Sequence, residues 1–100
     1  MIQIIALIDV KDPALFRKYE IEAVCIMKRY GGSLLVAFEP NENESVEVNC
    51  SEVHCLEFPD LNSFKSYRKD YRLGEMAELR EKAISKIKII VSDRVKSYES

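Results

Sequence analysis

The first and last apolar segments of this chain are hydrophobic on both of their alternating faces, and this limits the folds that the chain can adopt. They run from Ile2 to Ile8 and from Ile87 to Val91. Successive side chains of a β-strand point to opposite faces, so a strand with one face in water alternates apolar and polar residues. Both faces of these strands must therefore be buried against other parts of the protein or against another molecule. A chain of 100 residues can supply helices for one side of a small sheet, so we expect a second copy to cover the other side.

The composition predicts one globular domain. Apolar residues make up 47% of the chain and charged residues 32%, which is typical of a folded protein rather than a disordered one. We expect the domain to span residues 1–95, followed by a polar tail at 96–100. The start of the chain lacks the pattern of a signal peptide, and no segment approaches the roughly 20 apolar residues of a membrane helix, so we expect a cytoplasmic protein without a membrane partner. The net charge of −2 argues against nucleic acid as a partner.

Turn and cap residues divide the chain into strand and helix signals. Asp12-Pro13 predicts the start of a first helix, because the aspartate side chain can accept a bond from a backbone N–H and proline fits the first turn. Gly31-Gly32 predicts its end. Asp60 predicts a second helical region, which we expect to be split in two near Leu73-Gly74. The expected strands are residues 2–8, 33–38, 53–58 and 86–92, with a hairpin extension at Val46–Val48, and the first helix is expected at residues 13–30.

The expected order of elements is βαββαβ, with an extra helical piece before the final strand. Right-handed crossovers place the first and third strands in the centre of a four-stranded antiparallel sheet, with the helices on one face. This is the ferredoxin-like fold of the α+β class. The other face of the sheet leaves a larger apolar patch than a soluble monomer exposes, and two sheets packed face to face would bury it.

Several short motifs, taken in order, resemble the DUF1330 family of small bacterial proteins. The motifs are Asp12-Pro13 with Phe16 and Tyr19, Tyr30-Gly31-Gly32, Glu57-Phe58-Pro59, and Tyr67, Tyr71 and Arg80 before the closing strand. The resemblance extends to about Val95 and implies a dimeric α/β barrel, the architecture of antibiotic-biosynthesis monooxygenase-like and Dabb domains. It implies no particular activity. The chain departs from the family pattern in its acidic connection between strands 2 and 3 and in a slightly longer segment from Tyr71 to Arg80.

Three polar residues are candidates for catalysis. His54 is the only histidine; facing an interior it could act as a general base, and otherwise it is an ordinary partly buried side chain. The sequence places no acidic residue to orient its ring. Glu57 belongs to the opposite side of the same strand, with Arg80 as its expected partner. This pair either ties a helix to the sheet or leaves Arg80 to hold a ligand carboxylate through two parallel hydrogen bonds.

Four tyrosines lie at helical spacings on apolar stripes. Core packing accounts for most of them, and one or two could send a hydroxyl into a cleft between helices and sheet. With Arg80, they form the expected ligand-binding group: Tyr19, Tyr30, Tyr67 and Tyr71. The three cysteines, Cys25, Cys50 and Cys55, are expected to be thiols, because neither their number nor their spacing suits zinc. No motif for a cofactor is present, so we expect neither a metal nor a cofactor.

Two functions remain open at this point. One is a homodimer that binds a small, partly apolar molecule in a cleft beside each sheet, with or without cofactor-free chemistry. The other is a non-catalytic assembly or regulatory module in which the apolar sheet face serves association alone. RNA-binding domains of this fold stack bases on exposed aromatic residues of the central strands, whereas these strands are aliphatic. Whether the protein is an enzyme depends on whether His54, Glu57 and Arg80 converge on a cavity.

Overall fold

The computed structural model describes residues 1–99 and places them in two layers, one sheet and one layer of helices. The shortest dimension of the molecule is 16 Å, which accommodates only these two layers. Of the expected tail, residues 96–99 are exposed and irregular, and residue 100 lies outside the described residues. The elements are β1 (Ile2–Val10), α1 (Pro13–Lys28), β2 (Ser33–Phe38), β3 (Glu52–Phe58), α2 (Leu61–Arg68), α3 (Tyr71–Glu75), α4 (Ala77–Ala83) and β4 (Ile84–Val91).

The four strands form one antiparallel sheet in the order β2-β3-β1-β4. The two strands in the centre are the first and third, as the crossover rule predicts. Ala6 of β1 lies opposite His54 of β3 on one side and Ile89 of β4 on the other. These three side chains therefore share the face of the sheet that the helices cover, because residues paired across antiparallel strands point the same way.

Helix α1 begins where the sequence predicts and ends two residues earlier. The Asp12 carboxylate accepts a hydrogen bond from the Leu15 backbone N–H at 3.1 Å, which caps the first turn. At the other end Gly31 has a φ of +74°, a conformation that suits glycine. The next residue, Gly32, packs so closely against the Phe58 ring that a Cβ there would lie 2.5 Å from it. This contact fixes the end of α1 against β3.

The second helical region is divided differently from the prediction. The expected break near Leu73-Gly74 is wrong, because Gly74 lies inside α3. The chain breaks instead before Asp70, whose carboxylate accepts the Arg72 backbone N–H at 2.8 Å and so starts α3, and again at Met76. An aspartate cap therefore decides the first break, since its side chain competes with the helical backbone for hydrogen bonds.

Other strand predictions also differ from the structure; β1, for example, continues to Val10. Val46–Val48 is irregular and not a hairpin extension. β2 already ends at Phe38, two residues before Pro40, whose missing N–H cannot continue a sheet ladder. β4 begins at Ile84 rather than at Lys86. Just before it, the Ala83 carbonyl accepts a hydrogen bond from the Lys11 backbone N–H at 2.8 Å, which joins the end of α4 to the end of β1.

The core beneath the helices has two parts. One lies under α1 and α4 and contains Ala6, Ile8, Phe16, Tyr19, Ala23, Ala83 and Ile84. The other lies under the end of α1 and under α2 and contains Ile4, Met27, Leu56, Phe58 and Phe64. The two clusters meet over the central strand β1, and members of both line the cavity described below.

The other face of the sheet carries an apolar row among polar residues and is not covered by any element of residues 1–99. One row crosses all four strands, with Val36, Cys55, Ile5 and Ile90 side by side. Val36 is 47% exposed and Ile90 is 59% exposed, and Phe38 beside them is 48% exposed. We call this surface the open sheet face. It confirms that the strands are apolar on both sides and that the helices reach only one of them.

Replacing Gly74 by alanine should stabilise the protein. A Cβ at Gly74 would meet no atom within 4 Å, and alanine reduces the conformational freedom of the unfolded chain, so the free energy of unfolding should rise by about 0.4–1 kcal/mol. Urea titration followed by circular dichroism measures this. Gly31→Ala is the matched control and should destabilise, because φ is +74° there and a Cβ would lie 2.8 Å from the Pro59 ring. An equal effect of both changes would contradict the backbone description.

Candidate functional site

A cavity of about 550 Å³ lies between the helices and the sheet. This volume falls within the roughly 300–1,000 Å³ of small-molecule sites. Its floor is mainly aliphatic and comes from the covered face of β1, β3 and β4, and its roof comes from all four helices. The roof leaves space because it carries small residues, Gly74 in α3 and Ala77 in α4. The floor consists of Ile4, Ala6, Ile8, His54, Leu56, Ile84, Ile87 and Ile89.

A small group of polar side chains enters this cavity from the helices. Tyr19 of α1, Tyr67 of α2 and Arg80 of α4 all line it. Burial raises the pKa of the Tyr19 hydroxyl, and the nearby Arg80 charge only partly opposes this. Burial also raises the pKa of Tyr67, with the Glu20 charge acting in the same direction. Both phenols therefore keep their protons at neutral pH and can donate hydrogen bonds to a ligand.

His54 lies at the edge of the cavity between two carboxylates. Its side chain is almost fully buried. Nε2 lies 2.9 Å from Glu52 Oε1, and Nδ1 lies 3.5 Å from Glu20 Oε1. The Phe16 ring packs against the imidazole at 5.8 Å between centroids. The expectation that no acidic residue orients this ring is therefore wrong: Glu52 does so from two residues earlier on the same strand face, and Glu20 does so from α1.

The two carboxylates favour the charged form of the imidazole. Burial by itself lowers the pKa of His54, but the hydrogen bonds to Glu20 and Glu52 and their negative charges together outweigh it. The pKa of His54 is consequently raised above its ordinary value. The two acids therefore stabilise a positive charge on this buried ring relative to an imidazole in water.

A groove on the far side of His54 runs between α1 and the edge strand β2. It encloses about 600 Å³, and we call it the α1/β2 groove. Its lining residues are Pro13, Phe16, Arg17, Glu20, Ile21, Val24, Cys25, Leu34, Ala37, Glu52 and His54. Three of these, Phe16, Glu20 and His54, also line the cavity. They therefore form the wall that separates the groove from the cavity.

Glu57 and Arg80, the expected ion pair, lie on opposite sides of the sheet. Glu57 points to the open sheet face, where its carboxylate accepts a hydrogen bond from the Gln3 side-chain amide at 2.5 Å. Arg80 lies in the helical layer and lines the cavity. The structure thus brings His54 and Arg80 to one cavity and leaves Glu57 outside it.

The four expected ligand tyrosines also divide. Tyr19 and Tyr67 line the cavity, but Tyr30 and Tyr71 do not. The Tyr30 hydroxyl donates to the Asp70 carboxylate at 2.6 Å, which helps to hold the start of α3 against α1. Hydrogen bonds from Arg72 and Tyr30 hold the pKa of Asp70 far below its usual range. Tyr71 is 70% exposed beside the Arg72 guanidinium, so its role is at the surface.

A family model matches nearly the whole of this chain. The model is DUF1330, a domain of unknown function, and the match covers residues 3–94. The chain belongs to the DUF1330 family. The resemblance of the sequence motifs to this family is thereby confirmed. No curated protein matches the chain.

Solved structures similar to this DUF1330 protein show the same fold at low identity. A protein of unknown function from Rhodopseudomonas palustris has a TM-score of 0.77 and 16% identity, over 96% of this chain and 83% of its own. A Dabb family protein with a ferredoxin-like fold from Mesorhizobium loti has a TM-score of 0.70 and 13% identity, over 95% of this chain and 97% of its own. SnoaB, a cofactor-independent oxygenase from Streptomyces nogalater, has a TM-score of 0.70 and 12% identity, over 99% of this chain and 97% of its own. The predicted ferredoxin-like α+β fold is confirmed.

The two site residues of this DUF1330 chain that sequence reasoning missed are Glu20 and Glu52. Glu52 could have been found, because a spacing of two residues on a strand puts it on the same face as His54. Glu20 could not, because its approach depends on how α1 packs on the sheet. Among residues 1–99 no helix is long and apolar enough to cross a membrane, and no three acidic, histidine or cysteine side chains are grouped to hold a metal. The cytoplasmic location stays a prediction.

Removing either carboxylate beside His54 should lower its pKa. The pKa of His54 in the folded protein is raised above the ordinary value of about 6.5. The contact of His54 with the two carboxylates therefore stabilises the fold fully below about pH 6.5, and this contribution is lost as pH rises through the folded pKa. His54 is the only histidine, so its ring signals in a two-dimensional NMR titration need no assignment. We expect a lower midpoint for Glu20→Gln and for Glu52→Gln.

Glu22→Gln is the control for this titration. Glu22 lies two residues from Glu20 on α1 but is exposed and lines neither the cavity nor the groove. The midpoint should therefore stay at the wild-type value. Equal midpoints in all four proteins would contradict the arrangement of His54 between two acids.

Proposed function

We propose that this protein is a homodimer that binds a small, partly apolar, anionic molecule in the cavity beside each sheet. The observation that carries this proposal is the cavity itself, in which a guanidinium and two phenols face an aliphatic floor. Ligand sites combine such apolar walls with a few convergent polar groups that fix orientation. The alternative, a module that serves association alone, gives no role to these polar groups.

Arg80 supplies the selectivity for an anion. Within residues 1–99 no carboxylate lies within ion-pair distance of its guanidinium, since the acidic side chains that form pairs belong to His54, Arg72 and Lys82. A guanidinium can hold a carboxylate or enolate through two parallel, charge-assisted hydrogen bonds. The aliphatic floor, including Ile4, Leu56 and Ile89, then accepts the apolar part of the same molecule.

Tyr19 and Tyr67 add hydrogen-bond donors beside this guanidinium. Their raised pKa values keep both hydroxyls protonated at neutral pH. A phenol of this kind donates to an anionic oxygen and does not compete with it by charge. The polar contacts of the cavity therefore favour a ligand with oxygen acceptors at one end and a ring or alkyl group at the other.

Replacing Arg80 should weaken binding of a charged probe and spare an uncharged one. Calorimetric titration with phenylpyruvate and with 4-phenyl-2-butanone separates the two, because only the first carries a carboxylate. A charge-assisted hydrogen bond contributes about 1.5–3 kcal/mol, so Arg80→Gln should lower affinity for phenylpyruvate by about 10- to 100-fold. Affinity for the ketone should change little.

The control for this experiment is Arg94→Gln, since Arg94 is exposed and lines neither the cavity nor the groove. It should bind both probes as the wild type does. If Arg80→Gln binds phenylpyruvate as tightly as the wild type, the cavity does not recognise anions as proposed.

The open sheet face supports the homodimer. It presents an aliphatic row over all four strands, and monomeric proteins rarely leave such a patch in water. Packing two of these faces together would cover both and would complete a barrel of two sheets. The proposed contact between the two copies is symmetric, because each copy contributes the same surface to it.

A charge on this face should separate the two copies. Ile90→Asp places a carboxylate in the centre of the proposed contact, at a side chain that is already more than half exposed in one chain. Sedimentation velocity at micromolar concentration should show a dimer for the wild type and a monomer for this variant. Val46→Asp is the control, because Val46 lies 80% exposed in the loop between β2 and β3. A wild-type protein that sediments as a monomer contradicts the proposal.

The second candidate function is a non-catalytic assembly or regulatory module. The open sheet face favours it as much as it favours the first, because association explains that face without any ligand. The likeness to SnoaB supports the fold and not an activity, given 12% identity. Binding in the cavity is therefore the observation that separates the two candidates: a module with an empty cavity would dimerise normally and bind neither probe.

A further inference from the structure

Three side chains form a line through the wall between the α1/β2 groove and the cavity. Glu52 lines the groove, and His54 and Glu20 line both spaces. The distances along the line are 2.9 Å from Glu52 to Nε2 and 3.5 Å from Nδ1 to Glu20. The two carboxylate side chains are 28% and 19% exposed, whereas that of His54 is 3% exposed. Each end of the line thus reaches solvent-accessible space, and its middle is buried.

We propose that this line is a proton relay, in which Glu20 takes an acidic proton from a carbonyl compound in the cavity and His54 and Glu52 connect it to the groove. The proposal rests on the proposed function, because it requires a ligand in the cavity. It adds a reaction class, proton transfer at a carbon next to a carbonyl, and it assigns Glu20 as the catalytic residue.

Glu20 rather than His54 faces the ligand, because both nitrogens of the imidazole already face carboxylates. A proton that arrives at one nitrogen can leave from the other. Glu52 orients the ring from the groove side. His54 and Glu52 are therefore positioning residues, which act on the ligand through Glu20.

The reaction balances without an oxidant. The ligand C–H bond breaks, its proton goes to a Glu20 carboxylate oxygen, and the electron pair moves to the carbonyl oxygen to give an enolate. The Arg80 guanidinium and the Tyr19 hydroxyl stabilise this charge as it develops. Glu20 then passes its proton to Nδ1 while the Nε2 proton moves to Glu52. The Nδ1 proton exchanges with solvent through the partly exposed Glu20 carboxylate while the enolate is bound. Return of a solvent proton from Glu20 to the enolate carbon then restores the carbonyl compound with its original hydrogen replaced.

Hydrogen exchange of phenylpyruvate in D₂O tests this relay. The probe has an apolar ring, a carboxylate and an acidic CH₂ next to its ketone, and loss of the CH₂ signal in proton NMR reports exchange. General-base catalysis contributes about 10²- to 10⁴-fold, so Glu20→Gln should lower the exchange rate of bound probe at least 100-fold. Glu52→Gln should lower this rate about 10-fold. Calorimetry on the same samples should give an unchanged affinity for both variants.

Two further variants complete the experiment. Glu22→Gln, on the exposed side of α1, should exchange the probe at the wild-type rate. Glu20→Asp keeps the carboxylate and should retain part of the rate, which a purely structural role of the Glu20 side chain would not predict. Circular dichroism confirms that each variant is folded.

Each outcome decides one of the proposals. Fast exchange that is lost with Glu20→Gln and reduced with Glu52→Gln supports the relay. Binding of phenylpyruvate with exchange at the buffer rate, or with exchange that Glu20→Gln leaves unchanged, overturns the relay and leaves the proposed binding function intact. Absence of saturable binding to the wild-type protein overturns both.

Discussion

A sheet that carries apolar residues on both faces but is covered by helices on only one is the constraint on which this structure depends. The helices bury Ile4, Ala6 and Ile8 of the central strand, and the row through Ile5 and Ile90 remains at the surface. Hydrophobic burial is the main favourable contribution to folding, so the helical side supplies most of the stability of a single chain. The open side leaves apolar side chains in contact with water. Along β1 the even residues thus serve folding, and the odd residues point to the open sheet face that the proposed second copy would cover.

The candidate site is a second result of the thin helical layer. Three short helices, α2, α3 and α4, take the place of one long helix opposite α1. Because their small residues do not reach the sheet, a cavity remains where a continuous helix with larger side chains would pack. Arg80, Tyr19 and Tyr67 enter this space from three different helices. Their convergence is therefore a property of the tertiary structure and has no counterpart in any short stretch of sequence.

Patterns along the chain predicted the strand order and the ferredoxin-like fold correctly, because alternation and crossover handedness leave few alternatives. They failed where two signals competed. Gly74 indicated a break by composition, but the Asp70 cap determined where the helix ended. For the site, alternation placed His54 and Glu57 on opposite sides of β3 without showing which side the helices cover. The pairing of Glu57 with Arg80 failed for that reason, and the contact of Glu20 with His54 needed the rotation of α1 on the sheet.

The division of the roof determines which part of it moves most easily. α1 buries five residues, whereas none of residues 71–75 in α3 is fully buried. The free energy of local opening rises with the apolar surface that opening exposes. Lifting α3 about its junctions at Asp70 and Met76 therefore costs much less than moving α1. A brief displacement of this single helical turn would widen the cavity while the sheet and α1 stay in place.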